Sequence, residues 1–181
     1  MDKLKEIKQR FFLSMNGIVS RSMREKGIEY KINWGIELPV LKRMAAEYGK
    51  DYDLARALWK EDIRECKILA TLIMPAERMD AELMSLWLEQ TTSFEMAEMV
   101  AFNLFRHVKG VADCAFEWIA SASDIYQTCG FHVMARLLKE NNMLNDRDRN
   151  EIEDQAQAAL TGGSLQVRRA AAACLGACRN E

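Results

Sequence analysis

Residues 52–75, YDLARALWKEDIRECKILATLIMP, contain two amphipathic segments separated by a short polar break. Apolar side chains recur every three to four positions in both segments, which predicts one helix over 52–60 and another over 63–74. Pro75 ends the second helix, because proline lacks a backbone N–H and cannot continue it. Since the break is so short, the two helices are predicted to fold back on each other as an antiparallel pair.

The same alternation of helix and short break continues along the rest of the chain. We predict further helices over 2–25, 38–48, 81–90, 94–108, 111–120, 124–140, 147–160 and 165–179. Their first residues follow good capping side chains, namely Asp80, Ser93, Ser123, Ser164 and either Asn145 or Asp146. Pro39 suits the first turn of the helix over 38–48, where its missing N–H costs nothing.

These helices predict an all-α protein. The 181 residues include only two prolines and nine glycines, and no β-branched run has the length of a strand. Short connections group the helices into about five antiparallel pairs, the period of a HEAT-like α-solenoid, an α–α superhelix. We expect one such repeat domain over residues 1–181. A globular helical bundle is the structural alternative, because the pairs share little sequence.

Charge is distributed unevenly along the chain. The formal net charge is −2. Residues 1–60 carry 13 basic and 8 acidic side chains, residues 61–120 carry 5 and 11, and residues 121–181 carry 7 and 8. A protein that binds nucleic acid mainly through its overall charge has a larger basic excess. Any such binding must therefore use a local patch, which we expect to include the N-terminal third.

The sequence indicates neither a membrane segment nor a cofactor. It has no apolar stretch of the length that a membrane span needs and no secretory signal, so we expect a cytoplasmic protein. The five cysteines form no CxxC pair, which suits reduced, buried thiols. Cys174 and Cys178 could share a metal ion, but no histidine lies near them in sequence. His107 and His132 are isolated. We expect a monomer without metal or other cofactor.

Two stretches carry a resemblance to a known family. Residues 34–45, WGIELPVLKRMA, and 57–74, ALWKEDIRECKILATLIM, resemble the opening of the DNA alkylation repair family, the HEAT-like repeat alkylpurine DNA glycosylases. The resemblance covers about 30–178 and is weaker at 118–121 and 167–170. It implies a concave basic surface that holds duplex DNA, and excision of cationic purines such as 3-methyladenine and 7-methylguanine. Packing alone would also explain Trp59 as a core residue and Gly35 with Pro39 as a loop-to-helix transition.

The resemblance also implies site residues. The family's aromatic residue and catalytic carboxylate fall on Phe94 and Glu98, four residues apart and so on one helical face. A carboxylate stabilises the positive charge that develops on the sugar, and an aromatic ring adds cation–π contacts. The family's arginine falls on Thr128 and its second tryptophan on Ala173, so two of four expected positions are changed. Alternatively, Phe94 is a core residue and Glu98 is a solvated carboxylate near a helix N-terminus.

Basic residues on the inner helices are the candidates for contact with duplex DNA. The residues that we expect to bind DNA are Arg106, Lys109, Arg136, Lys139, Arg168 and Arg169, with Lys42, Arg43, Arg64 and Lys67 as further candidates. Each could equally be a solvated surface charge. The sequence therefore leaves two hypotheses open. One is a DNA repair protein whose glycosylase activity is weak or lost, and the other is a helical scaffold that binds a protein or peptide partner.

Overall fold

The computed structural model describes residues 3–140 and 144–179. In these ranges eleven α-helices follow one another, with 3₁₀ turns at Ala76–Arg78 and Phe105–His107. The helices are α1 (Lys3–Leu13), α2 (Gly17–Glu25), α3 (Leu38–Tyr48), α4 (Tyr52–Trp59), α5 (Arg64–Ile73), α6 (Ala81–Glu89), α7 (Phe94–Asn103), α8 (Val111–Ile119), α9 (Asp124–Lys139), α10 (Asp146–Ala159) and α11 (Leu165–Cys178). Strand-like pairing within these ranges is confined to one isolated bridge between Ile32 and Ile63. The all-α prediction is confirmed.

Residues 1–78 form one compact unit. Helices α3 and α4 both pack against α5, and α1 packs against α4. Because α4 and α5 are joined by a short connection and pack together, they form the antiparallel pair that the sequence predicts. Leu58 and Leu69 are fully buried, and Trp59 is 3% exposed, so its interpretation as a core residue is confirmed.

Residues 79–181 form a second compact unit. Helix α9 lies at its centre and packs against α7, α8 and α11, while α10 packs against α11. Helices α7 and α9, which begin at Phe94 and Asp124, therefore lie next to each other. The serine caps of α7, α9 and α11 also form as predicted, each accepting a hydrogen bond from the backbone N–H three residues on. A single repeat domain over 1–181 stays a prediction.

The prediction of one helix over 2–25 is wrong, because the chain breaks between α1 and α2. Asn16 adopts an extended backbone and its side chain accepts a hydrogen bond from Val19 N, which starts a new helix. The Asn16 N–H donates to Trp34 O at 2.8 Å. An asparagine that caps a following helix and pairs with a distant loop outweighs the helical periodicity.

The prediction of a helix over 94–108 is also wrong at its C-terminal end. Helix α7 ends at Asn103, and Leu104 leaves helical geometry with φ −132° and ψ −64°. The 3₁₀ turn that follows places the fully buried Phe105 ring 5.4 Å from the Trp118 ring, centroid to centroid. Helix α7 therefore ends before Phe105, and the 3₁₀ turn rather than an α-helix carries this ring to Trp118.

The family-like residues 34–36 are held by a buried acid. Trp34 N and Ile36 N each donate to the Glu65 carboxylate at 3.2 Å, and Arg64 Nη1 donates to Glu65 at 3.2 Å and to Ile36 O at 3.0 Å. Gly35 has φ +72°, and a Cβ there would collide with the backbone of Asn16 and Ser20. The structure therefore assigns this stretch a packing role, as the alternative interpretation of the sequence proposed.

Candidate nucleic-acid interface

Helices α7 and α9 place four polar and aromatic side chains close together. Glu98 and Phe102 are one helical turn apart on α7, and His132 and Arg136 are one turn apart on α9. Glu98 Oε1 lies 3.5 Å from His132 Nε2. The Glu98 side chain is 43% exposed and the His132 side chain 12%. We call these four residues the α7–α9 cluster.

Aromatic contacts order the rest of the α7–α9 cluster. The His132 ring meets the Phe102 ring edge-on, with centroids 4.8 Å apart and an interplanar angle of 67°. The Arg136 guanidinium lies 4.6 Å from the Phe102 centroid, within cation–π range. A guanidinium in contact with a ring still carries N–H donors that can bind an anion. The cluster thus presents a carboxylate, an aromatic ring and a guanidinium side by side.

The other residues that were predicted to bind DNA differ in ion pairing and in solvent exposure. Arg106 Nη1 pairs with Glu140 Oε1 at 2.7 Å, and Arg106 Nε donates to His107 Nε2 at 3.1 Å. Arg168 Nη1 donates to Gly163 O at 2.9 Å. Lys109, Lys139, Arg168 and Arg169 are all exposed. The structure therefore brings Arg136 into the α7–α9 cluster, largely neutralises Arg106, and leaves the other four on the surface.

The positions predicted from the resemblance have different environments. Phe94 is the first residue of α7 and is partly exposed. Thr128 on α9 is fully buried, and its Oγ1 has no hydrogen-bond partner among the described residues. Ala173 is exposed on α11. A side chain at 128 is closed off from any ligand on the surface, while 173 is open but carries only a methyl group.

Two of the further candidates for DNA contact are corrected by the structure. Arg64 is 3% exposed and Glu65 is completely buried beside it. Lys67 Nζ donates to Trp59 O at 3.0 Å and lies 4.6 Å from the Trp59 ring centroid. Burial lowers the pKa of Lys67, since desolvation disfavours its charged form. Both side chains therefore stabilise the unit of residues 1–78. Lys42 and Arg43 are exposed on α3.

Phe102 and His132 are the members of the α7–α9 cluster that the sequence analysis missed. In the sequence, His132 is isolated from any recognisable Ser/His/Asp or Cys/His set. The signal was the spacing on two separate helices: Glu98 and Phe102 on one, His132 and Arg136 on the other, each pair at i and i+4. Only the prediction that these helices adjoin would have joined the two pairs.

The described part of the chain offers no group of three or more His, Cys, Asp and Glu that could hold a metal ion. All five cysteines are free. Burial raises the pKa of Cys66 to about 12 and that of Cys129 further still, so both thiols stay protonated near neutral pH. As for membranes, none of the helices in the described ranges combines the length and the apolar character that crossing a bilayer requires.

Comparison with known proteins identifies the class. The sequence matches the family model of the DNA alkylation repair enzyme over residues 16–179, and the chain belongs to this family. Among solved structures, it is similar to one described as "a new family of proteins related to the HEAT-like repeat DNA glycosylases with affinity for branched DNA structures". That match has a TM-score of 0.87 at 15% identity and covers 96% of this chain and 74% of the other. The HEAT-like helical fold is therefore confirmed. A search of curated protein sequences gave no match.

Proposed function

We propose that this protein binds DNA through the α7–α9 cluster and the exposed basic residues of α9 and α11. The observation that carries the proposal is the cluster itself, in a chain of the DNA alkylation repair family. Arg136 and the exposed Lys139, Arg168 and Arg169 supply phosphate contacts, while Glu98 is the group that would face a cationic base or sugar.

We propose further that excision of 3-methyladenine or 7-methylguanine is slow or absent. The Glu98 side chain is 43% exposed, so its carboxylate acts through a partly aqueous medium. Two opposite charges 4 Å apart attract by about 1 kcal/mol in water against about 4 kcal/mol at an effective dielectric constant of 20. Without an arginine at Thr128 or a ring at Ala173, little remains to exclude water from a bound sugar. The protein would then act by binding DNA, and it would have lost most of the excision activity.

Branched DNA is the substrate class to compare with a duplex. The structural relative is described as having affinity for branched DNA structures, and its fold matches 96% of this chain. A four-way junction also presents more phosphates at close range than a duplex does, which favours a protein whose basic residues are scattered. We propose that this chain, too, binds a junction at least as tightly as a duplex.

Titration of a fluorescently labelled duplex and a four-way junction of equal nucleotide number tests the proposal. We expect both to bind at 50 mM salt and to lose affinity steeply by 200 mM, because phosphate contacts release counterions. Arg136→Gln should weaken binding of both. Absence of binding to either DNA at 50 mM salt would contradict the proposed function.

A protein or peptide partner is the second candidate function. The end of α1, the turn that follows and the start of α2 expose four large apolar side chains, Phe12 at 59%, Leu13 at 83%, Met15 at 53% and Ile18 at 85%. Exposed apolar patches of this kind often mark protein interaction sites. Two results together would favour this candidate. The wild-type protein would bind no DNA, and it would bind a protein partner that the variant with Leu13→Ser and Ile18→Ser does not bind.

A further inference from the structure

The two compact units differ in net charge. Residues 1–78 contain 16 Lys and Arg against 12 Asp and Glu, a net of +4. Residues 79–181 contain 9 against 15, a net of −6. The α7–α9 cluster and all six predicted DNA-binding residues belong to the acidic unit. The basic excess that attracts a polyanion lies in the other one.

Four basic side chains of residues 1–78 form ion pairs with exposed or half-buried acids. Lys3 pairs with Asp51, Lys8 with Glu61, Arg10 with Glu47 and Arg21 with Glu25, at distances from 2.7 to 3.0 Å. Lys50 instead donates to the carbonyl oxygens of Leu72 and Met74 at the end of α5. These contacts engage five of the unit's 16 positive charges within the protein.

Tyr52, Arg56 and Arg78 form a different arrangement, in which two arginines share one ring, and we call it the arginine–tyrosine cluster. Tyr52 is the first residue of α4, Arg56 follows one turn later, and Arg78 ends the 3₁₀ turn after α5. The Arg56 guanidinium carbon lies 5.4 Å from the Tyr52 ring centroid and that of Arg78 lies 4.2 Å from it. Both arginines are exposed. In the part of the chain that the structure describes, neither has a carboxylate partner.

This arrangement holds two like charges close together at the surface. Because both guanidiniums contact one ring, they lie within about 10 Å of each other, which is the screening length of salt at an ionic strength of about 0.1 M. Contact with the ring orients each guanidinium and leaves its edge N–H groups free, and these match phosphate oxygens in a fork. Prior orientation reduces the entropy that binding would otherwise cost.

We propose that the arginine–tyrosine cluster binds the phosphodiester backbone of DNA. The inference rests on the proposed function, in that the anion is taken to be the same nucleic acid. It adds a second contact surface, located in residues 1–78 and built from α4 and the turn after α5. This surface supplies phosphate contacts that carry no sequence information and fix the DNA in position.

Salt dependence of DNA affinity tests the cluster directly. The variants are Arg56→Gln, Arg78→Gln and the double variant, titrated with the labelled duplex from 50 to 300 mM salt. Each lost phosphate contact should reduce the slope of log K against log salt concentration by about 0.9 and lower the affinity at 50 mM roughly tenfold. Arg24→Gln removes an exposed arginine of α2 outside the cluster and should leave the slope unchanged.

Substitutions of Tyr52 test whether the ring's contact with the two arginines contributes to binding, beyond the effect of their charge alone. Tyr52→Leu keeps both arginines but removes the ring, so we expect weaker binding at an unchanged slope, and Tyr52→Phe should restore wild-type affinity. Thermal melting of each variant checks that the fold is retained. If the wild-type protein binds DNA but both arginine variants keep its slope, the cluster inference alone is wrong. If the wild-type protein binds no DNA, the proposed function is wrong as well.

Discussion

Each unit contains a carboxylate paired with a basic side chain, and the two pairs have opposite environments. Glu65 is fully buried beside Arg64 and accepts backbone N–H groups of Trp34 and Ile36. Glu98 is 43% exposed and contacts His132 at 3.5 Å. The buried carboxylate accepts three hydrogen bonds within the protein, whereas the exposed one can turn toward a ligand. The presence of a basic partner therefore does not show whether a carboxylate can reach a ligand. The exposed fraction of its side chain does.

The largest effect expected from this comparison is at Glu65. Glu65→Gln removes the charge that balances Arg64 and places an amide NH₂ against backbone N–H donors. We expect the free energy of unfolding to fall by about 3 kcal/mol or more, since breaking a buried pair leaves an uncompensated charge. Urea denaturation followed by circular dichroism measures it. A change under about 0.5 kcal/mol, typical of a surface site, would remove the contrast between the two carboxylates.

Packing around α9 gives the next largest effect. A Cβ on Gly130 would lie 2.8 Å from Ile119 Cγ1 and 2.9 Å from Ala115 O, so Gly130→Ala should cost about 1–3 kcal/mol of stability. Gly176→Ala on α11 is the matched control, because a Cβ there meets nothing within 4 Å and should stabilise the helix by up to about 1 kcal/mol. Equal effects of the two changes would show that α8 and α9 are less closely packed than described, and that His132 lies on a looser support.

A gain in DNA affinity is expected from Glu140→Gln. This change frees Arg106 from its 2.7 Å ion pair and removes one negative charge from the acidic unit. At 50 mM salt we expect duplex affinity to rise by up to about tenfold, as one more phosphate contact forms. Glu153→Gln frees Arg179 in the same way outside the proposed surface and should have a smaller effect. A larger gain from Glu153→Gln would move the DNA surface toward α10.

The smallest effect on stability is expected from Glu98→Gln, the same chemical change as at Glu65. Because Glu98 is partly exposed, the melting temperature should shift only by the equivalent of a few tenths of a kcal/mol. Any excision of 7-methylguanine by the wild-type protein should disappear in this variant. Excision that survives the change would place the catalytic carboxylate elsewhere.

The helices were predictable where local signals agreed, and they were missed where a distant contact intervened. Ser93, Ser123 and Ser164 cap the helices that they were predicted to cap. The break at Asn16 depends on Trp34, and the end of α7 depends on packing of Phe105 against Trp118, so neither was visible in local periodicity.

The candidate site was predictable only in part, for a related reason. Glu98 and Arg136 were named from the sequence, but their relation to His132 and Phe102 requires knowing which helices adjoin. Arg64 and Lys67 were assigned to a surface because charged residues are mostly exposed. Arg64 can be buried because its guanidinium donates hydrogen bonds to Glu65 and to the carbonyl of Ile36, and the sequence does not show these contacts.

Thr128 has a consequence for any attempt to build a glycosylase from this protein. Its hydroxyl is enclosed by neighbours without accepting or donating a hydrogen bond to any described residue, so a valine of the same shape should be tolerated or preferred. An arginine at this position would have to place its guanidinium in the core or force α9 away from its neighbours. Regaining a cationic contact here is therefore not a single mutational step. A laboratory selection for alkylpurine excision would first have to reshape the packing of α9, and it should find new cations at positions such as Ala173, which already face water.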